Sequence, residues 1–377
     1  NSLQRSAFAL APTRAYGGAM KSPPRVLTFL SLMALALGTT GARADDSAAE
    51  CSSNLRILNS VQMQATTDRT VMVVPVKIDN VDKKLLLDTG GLVSQISRAT
   101  ANGLDLPERY REQRLFDLAG NSSNAQATVP KLTLGNQSQN EVPMAVAPNP
   151  DLGTALPYDG LLATDLFPGD DIDMDFGARR LTTFSPDHCT GRVVYWPADR
   201  VAIVPITENH NLIIIPVMVA GHPLNAVLDT GSQYTVMNMA VANQLFGLNS
   251  ASPNMTPLTE ANGDKSITLY RHLFDKLTFE GVEVSNLQVY LLPNQVAVHD
   301  RPRSLFLLGP SHIPLAGNRV LDPTDAREPE PGRVSIPDVI IGMDVLRHLH
   351  VYFAAKEKRL YITDAVSGES ALFHYKE

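Results

Sequence analysis

Leu85-Leu86-Leu87-Asp88-Thr89-Gly90 and Ala226-Val227-Leu228-Asp229-Thr230-Gly231 decide how this chain is read. Each is a hydrophobic run ending in an acidic turn. The likeness extends backwards without a gap, because Val74-Pro75-Val76-Lys77-Ile78 lies on Ile215-Pro216-Val217-Met218-Val219 at the same offset of 141 residues. Further on, Leu161-Leu162-Ala163-Thr164-Asp165-Leu166 matches Ile340-Ile341-Gly342-Met343-Asp344-Val345, and Arg180-Leu181 falls on Arg359-Leu360. Self-similarity of this kind means one structural unit used twice. A lone Asp-Thr-Gly is weak evidence, since Asp and Gly suit any turn after a strand. Two copies at matched positions carry far more weight.

The unit reads as β. Short runs rich in Val, Ile and Leu are broken by Gly, Pro, Asn and Asp. Ile172, Met174 and Phe176 alternate with Asp171, Asp173 and Asp175, which predicts a strand with one apolar and one acidic face. The matching strand around Val351 and Phe353 lacks the acids, so a solvated face is expected there rather than a calcium site. Brief helices are predicted near 98–102 and 239–245. From Asp88 to Ala163 is 75 residues and from Asp229 to Gly342 is 113, so the second copy carries an insertion, placed at about 293–337. Residues 185–200 read as the connector between copies.

Composition sets the outer limits. The chain has 377 residues with 32 bases and 39 acids, and five of those bases but no acid fall in the first 44 residues. The remainder is strongly acidic, which argues against nucleic acid or an anionic membrane surface as partner. A hydrophobic fraction of 44% with 19% charged residues suits packed domains, and the length suits two of them. From Met20, a basic start, an apolar run over 26–38 and Ala42-Arg43-Ala44 read as a signal peptide over 20–44, cleaved before Asp45. Residues 1–19 read as upstream sequence, and 45–65 as a mature N-terminal segment. The expected location is periplasmic or secreted. Export permits a bond between Cys51 and Cys189, although two free thiols remain an equal reading.

The repeated turn suggests a chemistry. Each aspartate leaves an apolar strand end, where partial desolvation raises a carboxyl pKa. Gly90 and Gly231 allow close backbone approach, and Thr89 and Thr230 offer hydroxyls that can tie two loops across a pseudo-two-fold axis. If the copies pack symmetrically, Asp88 and Asp229 meet and share a proton. One carboxylate then activates a water while the other protonates an amide oxygen, with no metal or cofactor. His348 and His350 sit two apart without a third positioned ligand and read as satisfied or exposed side chains. No Gly-x-Ser-x-Gly elbow, Lys-bearing phosphate loop or Cys-x-x-Cys is present.

At these residues the chain resembles the pepsin-like and retroviral-type (retropepsin-like) aspartic proteases. Leu86-Leu87-Asp88-Thr89-Gly90-Gly91 and Val227-Leu228-Asp229-Thr230-Gly231-Ser232 match the catalytic turn, and Ile340-Ile341-Gly342 with Leu161-Leu162-Ala163 the element beneath it. The resemblance covers roughly 66–377. It implies an all-β, bilobal fold of two homologous closed β-barrel-like lobes, at 66–184 and 201–377, with pseudo-two-fold symmetry. It further implies a monomeric endopeptidase acting on polypeptides. Asp88 and Asp229 would be its catalytic pair, with Thr89, Gly90, Thr230, Gly231 and Ser232 in support. Flap hairpins are expected around Gly120-Asn121 and Asn262-Gly263. Two positions depart from the pattern. Gly91 stands where Ser or Ala is usual, so Asp88 lacks the hydroxyl expected from Ser232 toward Asp229; Ala163 replaces a glycine beneath the first turn. The rival reading from another class is a non-catalytic peptide-binding module that keeps the cleft.

Overall fold

A computed structural model describes residues 54–66, 71–116, 122–149, 152–209, 211–258, 269–292, 306–307, 338–365 and 373–375. The signal segment and the residues before it, Cys51, the turns at Gly120-Asn121 and Asn262-Gly263, and all of the insertion save 306–307 lie outside the described residues. Cys189 is disulfide-bonded.

The two copies fold into two lobes of like topology. In the first, Met72–Ile78, Val81–Leu87, Gly160–Leu162, Gln95–Ile96, Gln137–Val146 and Ser122–Leu134 pair in that order. The last strand pairs back on the first and closes a barrel. In the second, Leu212–Val219, His222–Leu228, Val339–Ile341, Val236–Asn238, Val282–Leu292 and Leu269–Phe279 follow the same path, and it closes in the same way. The first hairpin of each barrel turns through residues of positive φ, Asp79 and Asn80 in one lobe and Ala220 and Gly221 in the other. Those conformations match the twist of a two-residue hairpin loop, and Asn and Gly tolerate them best. Predicted helices occur at Arg98–Gly103, capped by the Ser97 hydroxyl, and at Met239–Phe246, capped by Asn238 and stopped by Gly247 at φ 67.

A third sheet joins the lobes. Its six strands run Ile57–Gln62, Arg180–Phe184, Asp171–Asp175, Leu349–Ala354, Arg359–Asp364 and Ala202–Pro205, three from each half of the chain. The seam is antiparallel, with Ile172 opposite Phe353 and Asp175 opposite His350. Part of the segment before the first repeat is thus an edge strand of this sheet. In the insertion, Phe306–Leu307 pairs in parallel with Leu115 and Phe116 of lobe one.

The acidic strand face is not solvated as expected. Asp171 and Asp173 are both fully buried. The irregular stretch 185–200 folds over that face of the sheet: Tyr195 donates to Asp173, and Trp196 stacks on His350 at 3.8 Å between ring centres. Each buried acid acquires partners, as a carboxylate removed from water must. Asp171 takes His188 at 2.5 Å, the Tyr352 hydroxyl at 2.9 Å and the Ala355 amide at 2.9 Å; Asp173 takes His350 at 2.6 Å. Alternation correctly divided the strand into two faces, but it carried no sign that a distant segment would cover the acidic one. His350 is thereby the satisfied histidine that its sequence context suggested.

Candidate active site

Both Asp-Thr-Gly turns lie where a barrel strand ends against its neighbour. The Asp88 amide donates to the Leu162 carbonyl at 2.9 Å, and the Asp229 amide to Ile341 at 3.0 Å. Each turn thus sits over the second repeated element of its own lobe. The threonines then tie the lobes together. Thr89 Oγ1 donates to the Leu228 carbonyl at 2.7 Å and accepts from the Thr230 amide at 3.1 Å; Thr230 Oγ1 donates to Leu87 at 2.8 Å and accepts from the Thr89 amide at 3.1 Å. Four reciprocal bonds between buried groups fix the two loops by geometry, each contributing on the order of 1 kcal/mol.

This exchange brings the carboxyls together. A Cβ placed on Gly231 would lie 2.6 Å from Oδ1 of Asp88 and 3.1 Å from Oδ1 of Asp229, so a single point touches both groups. On Gly90 it would lie 2.2 Å from Cγ of Asp229. Neither site has room for a side chain, which is the physical reason for glycine in both turns. Two buried carboxyls this close favour holding one proton between them over carrying two charges. Burial pushes Asp88 well above the usual carboxyl range, and the charge of Asp229 pushes it further. Burial also raises Asp229, to about 6, against the pull of the Gly231 amide, which donates to it at 2.8 Å. The two titrate as one unit.

A further layer holds each turn from below. Ser94 donates to Asp165 through Oγ at 2.6 Å and through its amide at 3.0 Å, and Oγ accepts from the Ala163 amide at 2.9 Å. In lobe two, Thr235 makes the same bonds to Asp344 at 2.7 and 2.9 Å and accepts from Gly342 at 3.2 Å. Burial raises both acids, Asp344 to about 6. Sequence reasoning gave these four residues no role, although matched hydroxyls 141 apart and matched acids inside the second repeat were there to be read. Asn211 was also missed. Its side-chain amide donates to the Leu92 carbonyl at 2.9 Å, and Thr164 donates to its backbone carbonyl at 2.8 Å, docking a lobe-two turn onto the lobe-one Asp-Thr-Gly loop.

Of the sequence-predicted set, Asp88, Thr89, Gly90, Asp229, Thr230 and Gly231 converge on one point. Ser232 differs from expectation: its hydroxyl donates to the Tyr234 carbonyl at 2.6 Å and not to Asp229. A main-chain oxygen two residues on outcompetes the carboxyl, whose oxygens are already engaged by amides and by Asp88.

Two barrels of one topology, each contributing an Asp-Thr-Gly turn to a shared buried acid pair, define a bilobal aspartic protease fold. A family model described as aspartyl protease matches residues 74–166 and 215–345, one stretch per lobe, and the chain belongs to that retropepsin-like family. Membership implies peptides as its substrates. No curated protein matches the chain as a relative.

Proposed function

We propose that this protein is an endopeptidase that hydrolyses peptide bonds with Asp88 and Asp229 as a single acid-base unit. One observation carries the reading: the reciprocal Thr89 and Thr230 bonds hold two buried carboxyls, one from each lobe, against the same point at Gly231. A water bound between them loses its proton to the ionised carboxylate as it attacks the amide carbon. The protonated partner donates to the amide oxygen, and the resulting diol collapses with proton transfer to the leaving nitrogen. Because burial raises both groups, the singly protonated pair lies at higher pH than two solvated aspartates would give. The activity profile should therefore be a bell placed toward weakly acidic pH.

The reading is tested by assaying peptide cleavage from about pH 3 to 8, with and without a statine-type inhibitor, in the wild type and in Asp88→Asn and Asp229→Asn. Each variant should lose at least about a thousandfold in kcat. Activity surviving either change rules out the pair. A folded wild type that binds peptides without cutting them is instead a binding module. We further propose that the protein acts as an exported monomer freed of residues 1–44, for which a mature N-terminus at Asp45 in the periplasm or medium is the check.

A further inference from the structure

Alternate residues of the first lobe-two hairpin divide between two apolar groups. Ile213, Ile215, Ala226 and Leu228 belong to the main core, whereas Leu212, Ile214 and Val227 point the other way and belong to a small separate cluster. Val227 stands opposite Ile214 and two residues before Asp229, about 7 Å along the chain, so this cluster lies beside the acid pair. Lobe one supplies its other half. Leu92 and Val93, which follow the Asp88-Thr89-Gly90-Gly91 turn directly, pack there, and the Asn211 side chain on the Leu92 carbonyl holds the two halves together. Leu92, Leu212 and Val227 are buried.

Three half-buried side chains complete the cluster: Val93, Ile214 and Leu115. Only Leu115 comes from outside the Asp-Thr-Gly loops and their hairpins. It belongs to the strand Glu108–Phe116, which pairs with Ser122–Leu134 as the lobe-one hairpin expected to form a flap. The register of that pairing slips between Tyr110 and Leu115, and such an irregularity bends a strand and re-aims its side chains. Leu115 thereby rests on residues of both lobes. Its backbone is also engaged from lobe two, through the parallel pairing of Leu115 and Phe116 with Phe306–Leu307. The arrangement is one-sided: the residues that match Leu212 and Val227 in the repeat, Val71 and Leu86, belong to the main core.

We infer that Leu115 is a built-in plug: it occupies the apolar ground beside Asp229 that a leucine-like side chain of a substrate peptide takes when the hairpin lifts. Leu92, Leu212 and Val227 left uncovered would expose apolar surface to water, which is unfavourable. Leu115 removes that surface in the free protein, and an aliphatic substrate side chain removes it in the complex. The two therefore compete, and the peptide binds more weakly by the fraction of molecules in which the plug is seated. A peptide with no side chain at that position leaves Leu115 in place. The inference rests on the proposed peptidase reading and adds a resting state that the substrate has to open.

The test compares two peptides that carry either Leu or Gly on both sides of the scissile bond, read with wild type and Leu115→Ala. For the Leu peptide, Leu115→Ala should lower KM by at least about threefold while changing kcat less. The Gly peptide should keep its KM, or its inhibition constant where it binds without being cut. A Leu-peptide KM that is unchanged or raised, in a variant that merely melts lower, overturns the inference, since Leu115 then serves packing alone. An equal gain for both peptides overturns it too, because nothing is then competing for the cluster. If Leu115→Ala fails to fold, Leu115→Val is read in its place with the same expected direction. Should the wild type cut nothing, the peptidase reading has failed by itself. Calorimetric titration of the two peptides against both proteins then decides the plug: tighter binding of the Leu peptide alone to Leu115→Ala upholds it, and equal binding to both proteins overturns it.

Discussion

The two Asp-Thr-Gly loops begin alike and are held differently. In lobe two, the amides of Met343 and Asp344 donate back to the Ser232 and Gln233 carbonyls at 2.8 and 3.0 Å, and the Ser232 hydroxyl draws in the Tyr234 carbonyl. The element beneath packs so closely that a Cβ on Gly342 would lie 2.3 Å from that carbonyl oxygen. In lobe one there is no hydroxyl at Gly91, and the place of Gly342 is taken by Ala163. A Cβ on Gly91 would lie 3.0 Å from Oδ2 of Asp88 and 3.3 Å from the Ala163 methyl, so the two departures from the expected pattern face each other beside the carboxyl. The Leu92 carbonyl, counterpart of Gln233, is served by Asn211 from the other lobe. Lobe two thus supports its own loop, whereas lobe one borrows support across the cleft. The acids meet despite two different scaffolds because the Thr89 and Thr230 exchange, common to both, sets their position.

If that is right, the largest effects should fall on what the loops share. Gly90→Ala and Gly231→Ala each drive a methyl into a carboxyl, and both should reduce peptide cleavage by at least about a thousandfold, as severely as Asp88→Asn. Thr89→Val and Thr230→Val should each cost about 2 kcal/mol by chemical denaturation, with strong non-additivity in the double variant because they break one network. A loss confined to one threonine would break the symmetry claimed here.

Next comes a pH effect of similar size. Asp229 and Asp344 have folded-state pKa values raised to about 6, so between the unfolded value and that figure the native state binds more protons than the unfolded chain. Stability is therefore highest at low pH on this account and declines as pH rises through about 6. Asp229→Asn should remove part of the decline, so that the variant gains stability relative to wild type as pH rises through that range. Thermal melts across that range are the check. The smallest effects should separate the loops. Asn211→Asp should lower stability by about 1 kcal/mol and reduce kcat more than it changes KM. Gly91→Ser should cost about 1 kcal/mol alone and recover only in part when Ala163→Gly is added, because the Asp88 carboxyl still crowds the new Cβ, a coupling that a double-mutant cycle measures.

Much of this was legible because the chain repeats. The offset of 141 residues that aligns the prolines and the acids is the same offset that separates Thr89 from Thr230 across the lobe interface. Register, barrel closure and the meeting of Asp88 with Asp229 all follow once two copies pack about an axis. What could not be read depended on contacts outside the repeated unit. Residues 185–200 have no counterpart in either copy, so nothing marked Asp171 and Asp173 as buried under them. The Ser232 hydroxyl had two acceptors within reach, and a motif does not choose between them. Asn211 acts across the interface, and its role depends on its positive φ of 69, which turns the side chain toward Leu92 in a way that spacing alone does not announce.

The seam between Asp171–Asp175 and Leu349–Ala354 has a thermodynamic consequence. Strands from both halves of the chain share one hydrogen-bond ladder, so melting either barrel strips an edge from the common spine and exposes the other. The protein should consequently unfold by heat in a single calorimetric transition rather than lobe by lobe, and its midpoint should report on both halves at once.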